Sequence, residues 1–458
     1  MKCQAYYCLF LNGIMTDTTQ WVEDEFAEID LGDARLDKRA KLLMARFSGN
    51  PTASIPKSCN GWGETVATYR FLENDTVDWR DIMAPHWEKT QERMTEYPLV
   101  LCLQDTTEIN FNGQQIEGLG PLSYEVQRGM YLHPTIAVTP ERLQLGVVDA
   151  WMWARELRDA QGVRPGQKES KRWTEGYERI AEMAADMPTT RLVYVADREA
   201  DIIEMMRRAK QLGTPADWLV RAKTNRALPD GEKLWAHTLD GESLGGIAFT
   251  IGPREKQKGR KVRQQLWVKR VVLPAGRGTT VEATCIIARE IDAPPGVEPI
   301  EWRLLTNRTA TTLDQLIELI DWYRARWEVE IFFHVLKNAC KIEAMQLGHI
   351  DKIERALALF MVVSWRIVYL MRLGRTCPHL DATLFFDPDE IRAAYLLTKE
   401  RRPTQAPTLN EVLRQIAKVG GFLGRKGDGE PGVKTIWQGM VDVRVAAFTI
   451  QALRDEGS

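Results

Sequence analysis

The chain has 458 residues, 44% of them apolar and 27% charged, with a formal net charge of -2. This length suggests roughly two to four domains, the apolar content excludes a disordered chain, and the charge balance restricts any nucleic-acid site to a local patch. Seven cysteines without a CxxC pair and six histidines without an HxxxH cluster exclude a disulfide framework or thiolate zinc site, so a bound metal is expected to have oxygen ligands.

At the N-terminus, Lys2 precedes a short apolar stretch, Ala5 to Leu11, that Asn12 and Gly13 interrupt. No small-residue cleavage site stands out, so a cytoplasmic protein is expected, with the tail up to Ile14 an upstream extension and Met15 the natural start. Residues 16–95 read as helical. Asp33 is placed to cap a helix through Phe47, and Arg35, Arg39 and Arg46 fall within about 40° on its wheel. That face is either a DNA-facing basic stripe or an ordinary solvated one, and the acidic run Glu23 to Asp30 upstream favours the latter.

Strands follow. Leu99 to Leu103 is a buried-strand run leading to Asp105; strands are expected at His133–Thr139 and Leu143–Trp153, a helix at Gln167–Met187, and a further strand, Leu192–Ala196, leading to Asp197. Both aspartates thus leave strands at their carboxyl ends, where α/β sheets place ligands. The segment 218–305 alternates strands and turns, and from Trp218 to Arg270 it carries 12 Lys and Arg against 5 Asp and Glu.

No Gly or Pro occurs from Thr311 to Leu347, which predicts one long helix opened by a Thr312/Gln315 capping box. On it Tyr323, Arg326, Glu330 and Lys337 form a stripe about 60° wide. That stripe is either a partly exposed face with Arg326–Glu330 pairing or a functional one. Further on, the longest uncharged apolar run, Ala356 to Trp365, has ten residues between Arg355 and Arg366, too short to span a bilayer. A cytoplasmic, nucleoid-associated protein without membrane contact is expected.

Asp105-Thr-Thr, Asp197-Arg-Glu-Ala-Asp201 and the YxxRxxxExxxxxxK spacing of Tyr323, Arg326, Glu330 and Lys337 together resemble the signature of insertion-sequence-four family DDE transposases, most nearly the Tn-five type. Leu31-Gly-Asp33, Tyr69-Arg70-Phe71, Arg128-Gly129 with His133, Arg221 with Lys223, and Trp302 extend the resemblance. His334 stands where that type carries a lysine.

The resemblance implies an α/β fold: a ribonuclease-H-like core (96–215 and 301–371) with a β-rich insertion (216–300), between a helical DNA-end-binding domain (1–95) and a helical dimerisation region (372–458). It implies cut-and-paste transposition by a homodimer holding double-stranded transposon ends and target DNA. Asp105, Asp197 and Glu330 would hold two Mg2+ ions, with Mn2+ able to substitute. Tyr323, Arg326, Lys337, Arg221, Lys223, Arg226, Arg128, Arg70, Arg35 and Arg39 would contact DNA, and Trp302 would stack on a flipped base. Two alternatives stay open: an inactive DNA-end-binding relative, and a ribonuclease-H-like nuclease without strand transfer.

Overall fold

The structure, a computed structural model, describes residues 20–252, 259–276 and 278–456; Met15, Cys3, Cys8, the apolar N-terminal stretch and the basic residues Arg254, Lys256 and Lys258 lie outside these. The chain opens with helices α1 (Gln20–Glu25), α2 (Ala34–Gly49), α3 (Ile55–Ser58), α4 (Trp62–Glu73) and α5 (Trp79–Thr95). As expected, Asp33 caps α2: its carboxylate accepts the Arg35 N–H at 2.8 Å, one of the donors that a helix start leaves without a partner.

Next come strands β1 (Leu99–Gln104), β2 (Thr107–Asn110), β3 (Gly120–Pro121), β4 (Arg128–Val138) and β5 (Gln144–Trp153), helix α6 (Ser170–Asp186), β6 (Arg191–Ala196), α7 (Ile203–Gln211) and β7 (Asp217–Arg221). The strand β1 pairs antiparallel with β4 and parallel with β6, with Gln104 opposite Ala196. That register brings Asp105 and Asp197, the next residue of each strand, side by side. Leu101, Cys102, Leu103, Val193, Tyr194 and Val195 are fully buried, which suits strands covered on both faces and makes a register slip expensive.

The β-rich segment continues this sheet. After α8 (Leu234–Leu239) come β8 (Gly245–Ile251), β9 (Arg260–Pro274), β10 (Thr280–Ile291) and β11 (Glu301–Thr306). Antiparallel pairing runs from β7 through β11, β10 and β9 to β8, so the described residues form one eleven-stranded sheet.

The single long helix expected over residues 311–347 is corrected to a broken one: α9 (Leu313–Arg324), α10 (Trp327–His334) and a π-helical turn, Val335–Ala339. The capping box at Thr312 and Gln315 is present. At the break, Glu328 and Val329 N–H groups bond three residues back, to Ala325 and Arg326 carbonyls at 2.9 and 3.0 Å. Just before it, Arg142 donates to the Asp321 carbonyl at 2.9 Å and to its carboxylate at 2.7 Å, and the same carbonyl still accepts the Ala325 N–H at 3.0 Å. The far end stops at Lys341, which is left-handed at φ 50°. Beyond it Glu343 accepts the Asn110 N–H of β2 at 3.0 Å, and Gln114 donates to the Glu343 carbonyl at 2.7 Å.

Helix α11 (Ile350–Thr376) is followed by α12 (Pro388–Thr398), α13 (Leu409–Val419) and α14 (Val433–Glu456). By length and composition α11 is apolar enough to cross a membrane, yet nearly all of it is buried inside the protein. It is a core helix, packed on β5, α5, α2 and α4. It also fixes α10: Arg372 forms an ion pair with Glu328, and Trp365 donates to the Gln144 carbonyl at 2.9 Å while the Gln144 amide donates to the Glu328 carbonyl at 2.8 Å.

Candidate active site

Three carboxylates from three elements converge on Arg326. Asp105 directly follows β1, Asp197 directly follows β6 and Glu330 lies one turn beyond Arg326. Arg326 Nη1 contacts Asp105 Oδ2, while Nη2 lies 3.2 Å from Glu330 Oε1 and 3.9 Å from Asp197 Oδ2. Tyr323 donates its hydroxyl to Asp197 Oδ1 at 3.3 Å, and Arg221 Nη1 stands 3.9 Å from the same oxygen. Glu330 remains half open at 44% side-chain exposure, whereas Arg326 keeps 10%.

Three carboxylates here face the guanidinium groups of Arg326 and Arg221. Burial pushes the Asp105 carboxyl up to about 6; Arg326 and the Thr106 N–H oppose this, and Asp197 and Glu330 add to it. Burial pushes the Arg326 guanidinium down, but Asp105, Asp197, Tyr323 and Glu330 outweigh it and leave the group raised. Tyr323 is pushed up to about 12 by burial and by Asp197. A set of three carboxylates short of cations, with one edge open, has the hard oxygen donors that suit a divalent metal. Metal binding would require the guanidinium to give up some of these contacts.

The other expected site residues are placed unequally. Lys337 lies in the π turn and donates to the Glu108 carbonyl, with Glu343 Oε1 3.5 Å away, so it ties the helix to β2. Arg226 is held in an ion pair with Asp201 at 2.6 Å, and the Lys223 N–H donates to Asp201 at 2.7 Å. Both contacts shape the turn after β7. Trp302 is half-buried, stacked on Phe249 with ring centroids 5.4 Å apart and edge-on to Tyr323 at 6.2 Å. With Arg198, Arg221, Lys223 and Arg303 it lines an open cleft of about 470 Å³. Arg128 and Arg70 are exposed, at the start of β4 and the end of α4. On α2, Arg35 is exposed and paired with its own cap Asp33, Arg39 is half-buried, and Arg46 is bound to Glu64.

Sequence reasoning missed a group on the opposite flank. Tyr131 and Trp153 are register partners on β4 and β5 and stack with centroids 5.3 Å apart. Arg155 covers the Tyr131 ring at 4.1 Å and Arg172 the Trp153 ring at 4.1 Å. The Trp151-x-Trp153-x-Arg155 alternation is the signal that could have revealed it. With Asp105, Thr106, Glu108, His133 and Glu199, these rings line a cavity of about 280 Å³ beside the carboxylates. His133 is neutral, because burial drives its imidazole down to about 3, and its Nδ1 lies 2.6 Å from the Thr106 hydroxyl.

Comparison with known proteins gives three family matches in chain order: a transposase DNA-binding domain over residues 18–77, a transposase DDE domain over residues 159–365, and a Tn5 transposase dimerisation domain over residues 362–455. The DDE match contains Asp197 and Glu330 and begins after Asp105. Among solved structures, a piggyBac transposase synaptic complex with hairpin DNA aligns over 67% of this chain at 8% identity and a TM-score of 0.34. The chain spans about half that protein's length, 54%, and the likeness is too loose to inform the site.

Proposed function

We propose, from the premise that the chain is a DDE transposase resembling that of Tn5, that it moves an insertion sequence by cut-and-paste: nicking each end, forming and resolving a hairpin, then joining the freed end to target DNA. The DDE class depends on divalent metal; the ion we assign is Mg2+, replaceable by Mn2+, with two ions on Asp105, Asp197 and Glu330. When bound, they supply activation of the attacking oxygen and neutralise charge on the leaving one.

The observation that carries this reading is the convergence of the three carboxylates on Arg326 with too little positive charge to balance them. Tyr323 and Arg326, already against the carboxylates, orient the reacting phosphate, the guanidinium through its planar fork. Lys337 acts one step removed by holding the helix to β2. Trp302, at the wall of a cationic cleft, offers a ring for a base unstacked from the DNA end. The exposed arginines Arg35, Arg70 and Arg128, with Arg39, Arg221, Lys223 and Arg226, are assigned to DNA contacts. We assign end binding to residues 1–95, catalysis to 96–215 with 301–371, support to 216–300, and pairing of two protomers to 372–458. A cytoplasmic, nucleoid-associated location follows from such a substrate.

Binding and chemistry should separate, since affinity comes from phosphate contacts spread over the protein. Asp105→Ala, Asp197→Ala and Glu330→Ala should bind the end duplex, taken from the DNA bracketing the reading frame, nearly as the parent does. They should give no nicks in Mg2+ or Mn2+. Ca2+ should support parent binding without turnover. Cleavage by Glu330→Ala near the parent rate would remove the third carboxylate from the assignment.

A further inference from the structure

Joining one DNA to another requires the enzyme to hold two DNA paths that meet at a single group of carboxylates. Along the sheet, Asp105 and Asp197 have the Trp302 cleft on the β7–β11 side. On the β4–β5 side lies the cavity walled by Tyr131 and Trp153. The turn after Asp197 faces both, because Arg198 lines the first and Glu199 the second.

The second path continues outward. Trp153, Arg155 and Glu169 are shared between the inner cavity and a larger open cleft of about 540 Å³ formed by residues 153–172. Its charged walls are Arg155, Arg158, Arg164, Lys168 and Arg172 against Glu156 and Glu169. Arg155 binds Glu169, so the cleft is anchored where it meets the inner cavity. Arg158 and Arg164 both reach Glu125, at 2.8 and 3.3 Å, through exposed ion pairs that phosphate can replace at small cost. The inner cavity is acidic, with Asp105, Glu108, Glu169 and Glu199 facing Arg155. A DNA strand is therefore gripped in the outer cleft and not along the cavity.

Resting on the function proposed above, we infer that the cationic cleft of residues 153–172 binds the phosphate backbone of target DNA. Two features favour the target over the transposon end. The cleft lies across the carboxylates from the Trp302 side, which that reading gives to the end. Its charged walls suit a ligand held by its backbone and not by its bases, since phosphate contacts carry no sequence information. In the step it serves, the 3′-hydroxyl of the cut end loses its proton and forms a bond to a target phosphorus. The bond from that phosphorus to the target 3′-oxygen breaks, and the departing oxygen takes up a proton.

The test uses the full chain with two substrates: an uncut end duplex, read for nicks and hairpins, and a pre-cleaved end duplex joined to a supercoiled plasmid. Arg158→Gln with Lys168→Gln should leave cleavage within about twofold of the parent and reduce joining about tenfold; Arg158→Glu with Lys168→Glu should reduce it further. The dependence of joining on log salt should become shallower by about two, as expected for two lost phosphate contacts. Intact cleavage also reports that the variants fold. Unchanged joining would overturn the inference, and so would a parallel fall in cutting and joining, which would give the cleft to the end DNA. A parent that neither cuts nor joins would instead bring down the proposed function, and this inference with it.

Discussion

Around Arg93 a single carboxylate collects its partners, whereas around Arg326 a single guanidinium is shared by three carboxylates. Glu25 Oε1 takes the His86 ring at 2.5 Å and Arg93 at 2.9 Å, and Oε2 takes Arg93 at 2.8 Å. The Val147 N–H donates to His86 Nε2 at 3.0 Å, so Nδ1 carries the proton given to Glu25. Burial pushes Glu25 up, but Arg93 and His86 outweigh it and hold the carboxyl down at about 2. At Arg326 the balance runs the other way and Asp105 rises to about 6. Similar side chains thus yield a locked joint between α1 and α5 in one place and an under-neutralised carboxylate cluster, the proposed metal site, in the other. The deciding quantity is the ratio of donors to carboxylates, because each unpaired buried charge is expensive.

Removing the lock should have the largest effect on stability. Glu25→Gln should lower unfolding free energy by about 3 to 5 kcal/mol, as when a buried pair is broken, measured by denaturant titration at pH 7. The pH dependence gives the sign. Folded Glu25 sits near 2 against 4.5 unfolded, so its contribution is complete above about pH 5 and drains away as pH falls from 4.5 towards 2, on the order of 3 kcal/mol in all. The gap between parent and Glu25→Gln should shrink over that window; a constant gap would mean Glu25 is not the titrating group.

Glu328→Gln comes next. Glu328 is buried against Arg372, and the change should cost about 2 kcal/mol of stability while leaving cleavage per folded molecule near the parent's. Loss of chemistry without loss of stability would contradict this division between Glu328 and Glu330. For Trp302→Ala, hairpin formation should slow by about tenfold, within the range of a lost base stack, and first-strand nicking by less. Equal slowing of both steps would mean Trp302 acts only by packing on Phe249. The smallest stability change is expected for Asp105→Asn, within about 1 kcal/mol, since it relieves repulsion while sacrificing one contact to Arg326. Its cleavage should nevertheless be absent. A collapse of the melting temperature would show that the Arg326 cluster is a structural lock like the other.

Much of this was legible in the sequence where the physics is local. The caps at Asp33 and Thr312 and the buried runs before Asp105 and Asp197 follow from side-chain periodicity and backbone donors near in the chain. The same locality misled over residues 311–347. Helical preference there is uninterrupted, yet the chain tightens after Arg324, where the Glu328 and Val329 N–H groups bond three residues back. Lys337 likewise lies on the expected stripe yet is claimed by Glu108. The apolar helix Ile350–Thr376 belongs with these, because only its neighbours make it a core helix.

By itself the sequence determined which residues carry charge and which strand ends present it, since those depend on neighbours a few positions apart. Tertiary structure decided which carboxylates share one guanidinium, which glutamate is sealed against Arg372 and which arginines flank the rings of Tyr131 and Trp153. These depend on contacts between segments far apart in the chain, and burial sets the electrostatic strength of such contacts only once the sheet and α11 have closed around them.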